Sequence, residues 1–321
     1  PGGELLVATP ERLEALLRNP ANARWFETVG AVCVDEAHLI SSPKRGPTLE
    51  YLLTSLRCFP VPPRLALLSA TLGNADKAQR WLSPCSVVSV SERQPPLEKW
   101  VLVLDEEEEA NEVAIAQVAE ALKAPENQIL VFVYQTQSAQ KLANTIDQSI
   151  DGANAFAYHA QMSQAHREQV RQAFLAGESR VLVTTTALAM AINLSATHVL
   201  VRDNTFPGVG RLGSGELLQM MGRAGRGDRP GKAFVLLRPT DGWSEAELVS
   251  ELKAEILPEF SSAHERSRTS RGQGEMPAGT TQVAALLSRH PEEGISRDGI
   301  KRFLEKSLGG RDLISQVPAA L

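Results

Sequence analysis

With 321 residues, 43% of them hydrophobic and 22% charged, the chain is long enough for two or three globular domains. A net charge of −5 excludes a uniformly basic surface, so a nucleic-acid partner would have to be met by local basic patches. No apolar run approaches the ~18 residues that cross a bilayer. The three cysteines, Cys33, Cys58 and Cys85, form no CxxC or Cys/His cluster, which excludes a zinc framework and fits a reducing cytoplasm, or a nucleus in a eukaryote.

Short apolar strands alternate with amphipathic helices, the pattern of parallel α/β sheets. "ELLVAT" (4–9) reads as a buried strand. Thr9 then caps a helix that begins at Pro10. "AVCVDE" (31–36) is the next strand, with Cys33 expected as a small core residue. "TLEYLLTSLR" (48–57) is helical, with Leu49, Leu52, Leu53 and Leu56 on one face. "RLALLSAT" (64–71) is a third strand and "ADKAQRWL" (75–82) a helix. "SERQPPLEKW" (91–100) reads as a linker. The acidic run 105–112 reads as a solvated loop that leads into a helix.

A second α/β unit follows, with strands in "ILVFV", "AFAYH", "RVLVTT", "HVLV" and "AFVLL". One of its helices starts at Ser163 and stops at Gly177. From about residue 243 strand signals vanish. Three helical stretches and a basic, flexible loop (264–279) make up the rest.

Three clusters carry chemistry. Asp35-Glu36-Ala37-His38 ends an apolar strand, where one acid can hold Mg²⁺ on a nucleotide and the second can polarise an attacking water. "LLSAT" ends another strand with two hydroxyls, Ser69 and Thr71. "QMMGRAGR" (219–226) sets Arg223 and Arg226 three apart near a helix end, with glycines that allow close approach. Guanidinium forks suit phosphate oxygens, and an arginine brought across a cleft stabilises charge on a transferred phosphoryl group. No G-x-x-x-x-G-K-[ST] phosphate loop occurs in the 321 residues.

These three motifs, in this order and spacing, resemble superfamily-two helicases. "ATPERLEALLR", "VDEAHLISSPKRGPTLEYLLTSLR" and "LLSATLGNADKAQRWL" narrow the resemblance to the Ski-like group, and to its HelQ-type DNA-repair helicases. "AYHAQMS", "RVLVTTTALAMAINL" and "ELLQMMGRAGRGDRPGKAFVLL" continue it, so that it spans roughly residues 4–240. It implies two RecA-like parallel-sheet domains, the first incomplete, followed by a partial helical or winged-helix module. The divisions fall at 1–92, 93–242 and 243–321.

The resemblance also implies ATP and Mg²⁺ as cofactors and a 3′–5′ translocase acting on single-stranded or tailed duplex nucleic acid, DNA ahead of RNA, with no membrane role. Asp35 would coordinate Mg²⁺ and Glu36 activate water. His38, Ser69 and Thr71 would couple nucleotide state to nucleic-acid grip. Gln219 would sense the γ-phosphate, and Arg223 and Arg226 would be the arginine fingers. Thr9, Pro10 and Thr185 would contact the nucleic-acid strand.

"RDNTFPGVGRLGSG" (202–215) lies where such helicases carry a duplex-splitting hairpin. Phe206 would be the wedge and Arg211 a backbone contact; a plain glycine-rich loop is the other reading. Ala191, Ser195 and Gln161 depart from the family pattern of Gly, Pro and Gly at those positions, and none removes a charged group. The family's phosphate loop would precede Pro1, so the expectation is a piece of a larger helicase that does not hydrolyse ATP by itself. An RNA helicase of the same group and a non-catalytic, helicase-derived scaffold remain as alternatives.

Overall fold

The computed structural model describes residues 5–69, 73–89, 95–105, 109–186, 194–206, 210–225, 228–255, 259–263, 278–289, 294–310 and 314. The chain divides into two compact units, one made of Pro1–Val88 with Leu257–Leu321 and the other of Ser89–Ile256. The stretch expected to form a third region, 243–321, is shared between them.

In the first unit, α1 (Pro10–Arg18) starts as the sequence predicts. Thr9 is extended, and its hydroxyl accepts the Arg12 N–H at 3.3 Å. α2 (Ala23–Glu27) leads into β1 (Ala31–Val34), which pairs in parallel with β2 (Arg64–Leu67). Between them runs α3 (Gly46–Arg57), and α4 (Ala75–Trp81) follows β2. The predicted leucine face of α3 is buried. Leu49 and Leu53 pack with Val34, and Leu52 and Leu56 with Leu17 and Phe26. Gly46 opens the helix where the chain passes itself, since a Cβ there would lie 2.2 Å from the Ile40 carbonyl oxygen.

Two strand expectations are corrected here. Residues 5–9 form no strand, and Leu5 and Val7 are 83% and 87% exposed. Cys33 is exposed rather than a core residue. Both corrections have one cause. Among the described residues β1 and β2 pair only with each other, and α3 covers only one face of the pair, so no third strand or second helix layer buries the rest.

The C-terminal segments complete this unit. α10 (Ala278–Leu287) and α11 (Arg297–Lys306) pack on α3, where the Tyr51 hydroxyl donates to the Ala285 carbonyl at 3.0 Å and the Tyr51 and Phe303 rings meet at 5.6 Å. Glu50 is fully buried in α3. Its carboxylate accepts the Ser262 hydroxyl and the Gly309 N–H. The Ser41 hydroxyl donates to the Glu259 carbonyl and accepts the Ser261 N–H. Phe260 is buried beside Trp81, and its N–H is held by the Asn74 side chain.

The second unit is a six-stranded, all-parallel sheet in the order β3-β10-β7-β4-β6-β5. The strands are β3 (Leu97–Val103), β4 (Ile129–Val133), β5 (Ala155–Tyr158), β6 (Val181–Thr185), β7 (His198–Val201) and β10 (Gly231–Leu237). One face, with Ile129, Val131, Val133 and Val183, packs on α5 (Ala110–Ala121) and α6 (Thr136–Ser149). The other, with Leu130, Phe132, Leu182 and Val201, packs on α7 (Gln164–Ala176), α8 (Ser214–Met221) and α9 (Glu245–Ala254). Cover on both faces explains why β4 reads as an unbroken apolar run and β6 opens on one, Val181–Val183.

Ser163 and Gly177 (φ 81°) end α7 as expected. β3 lies where the sequence predicts a linker. Its side chains alternate between the two faces at the sheet edge, with Leu97 and Val101 on one and Leu102 on the other, and the polar Glu98 and Lys99 masked the period. A two-residue hairpin of β8 (Thr205–Phe206) and β9 (Gly210–Arg211) rises between β7 and α8.

Candidate functional site

In the first unit the acids stand at the carboxyl end of β1, the usual place for a ligand in an open α/β sheet. Asp35 and Glu36 are both exposed. Glu36 sits in the left-handed region at φ 52°, ψ 44°, which costs a residue with a Cβ of the order of 1 kcal/mol. Its neighbours hold it there. The Glu36 N–H donates to Asp35 Oδ1 at 2.8 Å, and the Ala37 N–H donates to the Leu68 carbonyl at 2.9 Å, across to the end of β2. A strained backbone on an exposed acid is the kind of feature that collects at functional sites.

The same crossing brings His38 and Ser69 together. Nδ1 of His38 lies 3.4 Å from the Ser69 hydroxyl and 3.3 Å from a Glu36 carboxylate oxygen. Burial lowers the imidazole pKa, against the opposing pull of Glu36 and Asp35, so the ring is neutral at pH 7. A neutral ring can donate from one nitrogen and accept at the other. Asp35, Glu36, His38 and Ser69 thus form one cluster. Thr71 lies outside the described residues. Thr9 and Pro10 open α1 near the surface of the same unit, where Arg45 pairs with Glu11 and holds that carboxyl down at about 2.

In the second unit Gln219 lies half-buried on α8. The helix ends at Met221, so Arg223 stands on the turn after it rather than within its last turn. Arg226 lies outside the described residues. The turn is sewn to the strand-entry segment by Ala196 N–H to the Arg223 carbonyl and Gly225 N–H to the Ala196 carbonyl, at 3.1 and 2.7 Å. Gly225 has φ 102°, and a Cβ would come within 2.9 Å of Pro95 Cγ, so this turn requires glycine. Thr185 is buried at the end of β6. Of the departures from the family pattern, Ala191 lies outside the described residues.

The carboxyl ends of β4, β7 and β10 frame a cleft of about 380 Å³, lined by Tyr134, Gln135, Ser138, Arg202, Asp203 and Phe206 among others. Sequence reading missed its organiser. Asp203 is buried and accepts from Arg202, Arg238 and the Tyr134 N–H. Burial alone would raise its carboxyl; the hydrogen bonds and charge of Arg202, with Tyr134 N–H and Arg238, outweigh that and leave it below the usual range. An acid beside an arginine directly after the apolar strand "HVLV" was the available signal. Phe206 is half-buried, stacked on Tyr134 with centroids 4.3 Å apart. The Arg211 guanidinium pairs with Glu247 and lies over Trp243. Residues 207–209 of the hairpin lie outside the described residues.

Among the described residues no group of three or more His, Cys, Asp or Glu could cage a metal. Asp35 and Glu36 fit the other mode, in which Mg²⁺ keeps its waters and binds one or two carboxylates together with substrate phosphates. No described helix is long and apolar enough to cross a membrane.

Two family models match the chain: DEAD/DEAH box helicase over residues 2–78 and the helicase conserved C-terminal domain over 112–228. The chain is 32% identical over 298 residues to the ATP-dependent DNA helicase Hel308 of Pyrobaculum calidifontis, covering 78% of this chain and 40% of that one. The Hel308 of Thermoplasma volcanium is 28% identical over 253 residues, covering 70% and 37%. The chain belongs to the Ski-like superfamily-two helicases. It spans about two fifths of the length of these relatives. In fold, this helicase chain matches the Mycobacterium smegmatis helicase Lhr bound to ssDNA and AMP-PNP at TM-score 0.67 and 20% identity, over 99% of this chain and 41% of that one. Two RecA-like α/β units are therefore its architecture.

Proposed function

We propose that the chain contributes the hydrolytic acids and the arginine side of one ATP site in a 3′–5′ DNA helicase. The observation that carries this reading is Glu36, an exposed acid held in a left-handed conformation beside Asp35, His38 and Ser69. In this reading Asp35 would hold Mg²⁺, and Glu36 takes the proton of the attacking water. Mg²⁺, when bound, neutralises charge on the β- and γ-phosphates. Gln219 meets the γ-phosphate, and Arg223 and Arg226 stabilise the charge that develops during transfer.

His38 and Ser69, with Thr71, pass the state of the nucleotide to the segments that hold nucleic acid. Thr9, Pro10 and Thr185 hold the strand by its backbone, a sequence-blind and salt-sensitive contact. Phe206 wedges at the duplex junction. DNA is favoured because the relatives are named as DNA helicases.

Among the described residues one face of the β1–β2 pair carries no cover, which supports a further element of the reading: a phosphate cradle packs against that face, and without it ATP hydrolysis is poor. A non-catalytic scaffold is the second reading, favoured by the absence of a G-x-x-x-x-G-K-[ST] loop from these residues.

The test is ATPase of the complete protein with and without single-stranded DNA, and unwinding of DNA and RNA duplexes with matched 3′ tails. Stimulated turnover that Glu36→Gln abolishes, with unwinding of the DNA duplex, supports the helicase. Nucleic-acid binding without turnover supports the scaffold, and unwinding of the RNA duplex alone moves the substrate to RNA.

A further inference from the structure

We propose that Arg211 is a positioning residue that braces the β8–β9 hairpin against helix α9, and that it is not a nucleic-acid contact. The inference rests on the helicase reading for its purpose, but its geometry is independent of that reading.

A hairpin with two residues per strand is too short to hold its own shape in water. Each strand here is fastened to a different part of the sheet. The first is fixed by Phe206, stacked on Tyr134, whose N–H is anchored by buried Asp203. At the base, the Leu212 N–H donates to the Asn204 carbonyl at 2.7 Å, and the Asn204 amide donates to the Leu236 carbonyl and to Asp241.

The second strand is fixed by Arg211 alone among its described side chains. The guanidinium carbon stands 3.8 Å from the centroid of Trp243, a ring otherwise buried in the core. Nη1 donates to the Gly242 carbonyl and, at 3.2 Å, to one Glu247 oxygen. Nη2 donates to the other at 2.9 Å. The planar fork that would grip a phosphate is thus filled by a carboxylate, and one of its faces is covered by an indole.

Gly242 lies directly against the arginine stem. A Cβ there would lie 3.4 Å from Arg211 Cδ and 3.6 Å from its Cβ, which are ordinary contact distances, so alanine fits and a branched side chain such as valine crowds the stem. Glu247 is on α9, which packs against β3 and α8. The brace therefore ties the hairpin to the body of the sheet. A wedge that meets a duplex must resist the load at its tip, and a tether on each strand supplies that resistance.

The experiment has two arms. Hydrogen exchange over residues 204–212 is measured in the 321-residue chain as wild type, Arg211→Ala and Gly242→Val. Gly242→Val displaces the arginine while keeping its charge. Both variants are expected to exchange at least about tenfold faster at Leu212 and along β9, with the β4 and β6 amides unchanged. The complete protein is then assayed for single-strand affinity against salt, stimulated ATPase and duplex unwinding. Gly242→Val is expected to keep ATPase and affinity within about twofold and to lose unwinding by about tenfold or more, and the reversed pair Arg211→Glu with Glu247→Arg is expected to recover part of it.

Unchanged exchange in both variants overturns the brace. So does an Arg211→Ala protein whose single-strand binding weakens uniformly, with a salt slope smaller by about one, because that is the signature of a phosphate contact. If the complete wild-type protein neither hydrolyses ATP nor unwinds, the helicase reading fails, while the exchange arm still decides the brace.

Discussion

In the unit Ser89–Ile256 every residue of β4 and β6 is buried, with helices over both faces of the sheet, whereas in the other unit β1 exposes Ala31 and Cys33 and β2 exposes Arg64 and Ala66. The first arrangement is self-sufficient. The second depends on borrowed cover, and part of that cover comes from residues nearly 200 positions away in sequence, such as Phe260 against Trp81 and Ser262 against Glu50. The acids Asp35 and Glu36 belong to the less enclosed unit, at a strained backbone. The contrast teaches that the exposed acids stand where the strands are least covered, whereas Gln219 and Arg223 stand on the unit whose sheet is covered on both faces.

The largest effect should come from removing a core ring in the enclosed unit. Phe132→Ala takes a fully buried ring out of a sheet packed on both faces and should cost about 3–5 kcal/mol. Hydrogen exchange read separately on each unit should show the loss within 89–256 only. An equal loss in β1 and α3 would break the comparison, because the two units would then melt as one.

Next in size is Asp203, which neutralises Arg202 and Arg238 where all three are partly or largely buried. Asp203→Ala strands both cations and should cost about 3 kcal/mol in thermal unfolding of the enclosed unit. Acid should do the same reversibly. Because the folded carboxyl lies below its unfolded value, its contribution is complete above about pH 4 and is lost as pH falls through the folded pKa. Asp203→Asn should flatten that acid slope, and a slope that survives the substitution would remove Asp203 from this role.

A smaller change sharpens the other side of the comparison. Glu50→Ala removes the acceptor for the Ser262 hydroxyl and the Gly309 N–H, and should cost about 1–3 kcal/mol. Exchange should rise around residues 259–263 and in α11 but not in the six-stranded sheet. The smallest effect belongs to the exposed Arg45–Glu11 pair, where Arg45→Ala should change stability by less than about 1 kcal/mol despite the short 2.8 Å contact.

Legibility in the sequence followed local enclosure and capping rather than the division into units. Continuous apolar runs and end caps made β4, β6, β7 and α7 readable, since burial on two faces and local capping leave marks within a few residues. "ELLVAT" and Cys33 misled for the opposite reason. Their apolar character implies a neighbour, and nothing described here packs on them. β3 was hidden by Glu98 and Lys99 on an edge strand, where Lys99 instead reaches the Leu252 carbonyl and Glu255.

Asp35, Glu36, His38 and Ser69 were legible as motifs, and the structure brings them together within one unit. The brace on Arg211 was not legible, because Arg211 lies 31 residues from Gly242 and 36 from Glu247 and only tertiary packing unites them.

The claim that most of the account depends on is that Glu36 and Arg223 serve the same hydrolytic event. The direct measurement is single-turnover ATP cleavage by the complete protein, with single-stranded DNA bound, in the wild type, Glu36→Gln, Arg223→Ala and the double variant. Each single change should slow cleavage by about a thousandfold or more with little change in ATP affinity, and the double variant should be scarcely slower than either, as for groups that act as a unit. Cleavage at the wild-type rate in Arg223→Ala, or losses that simply multiply, would contradict it.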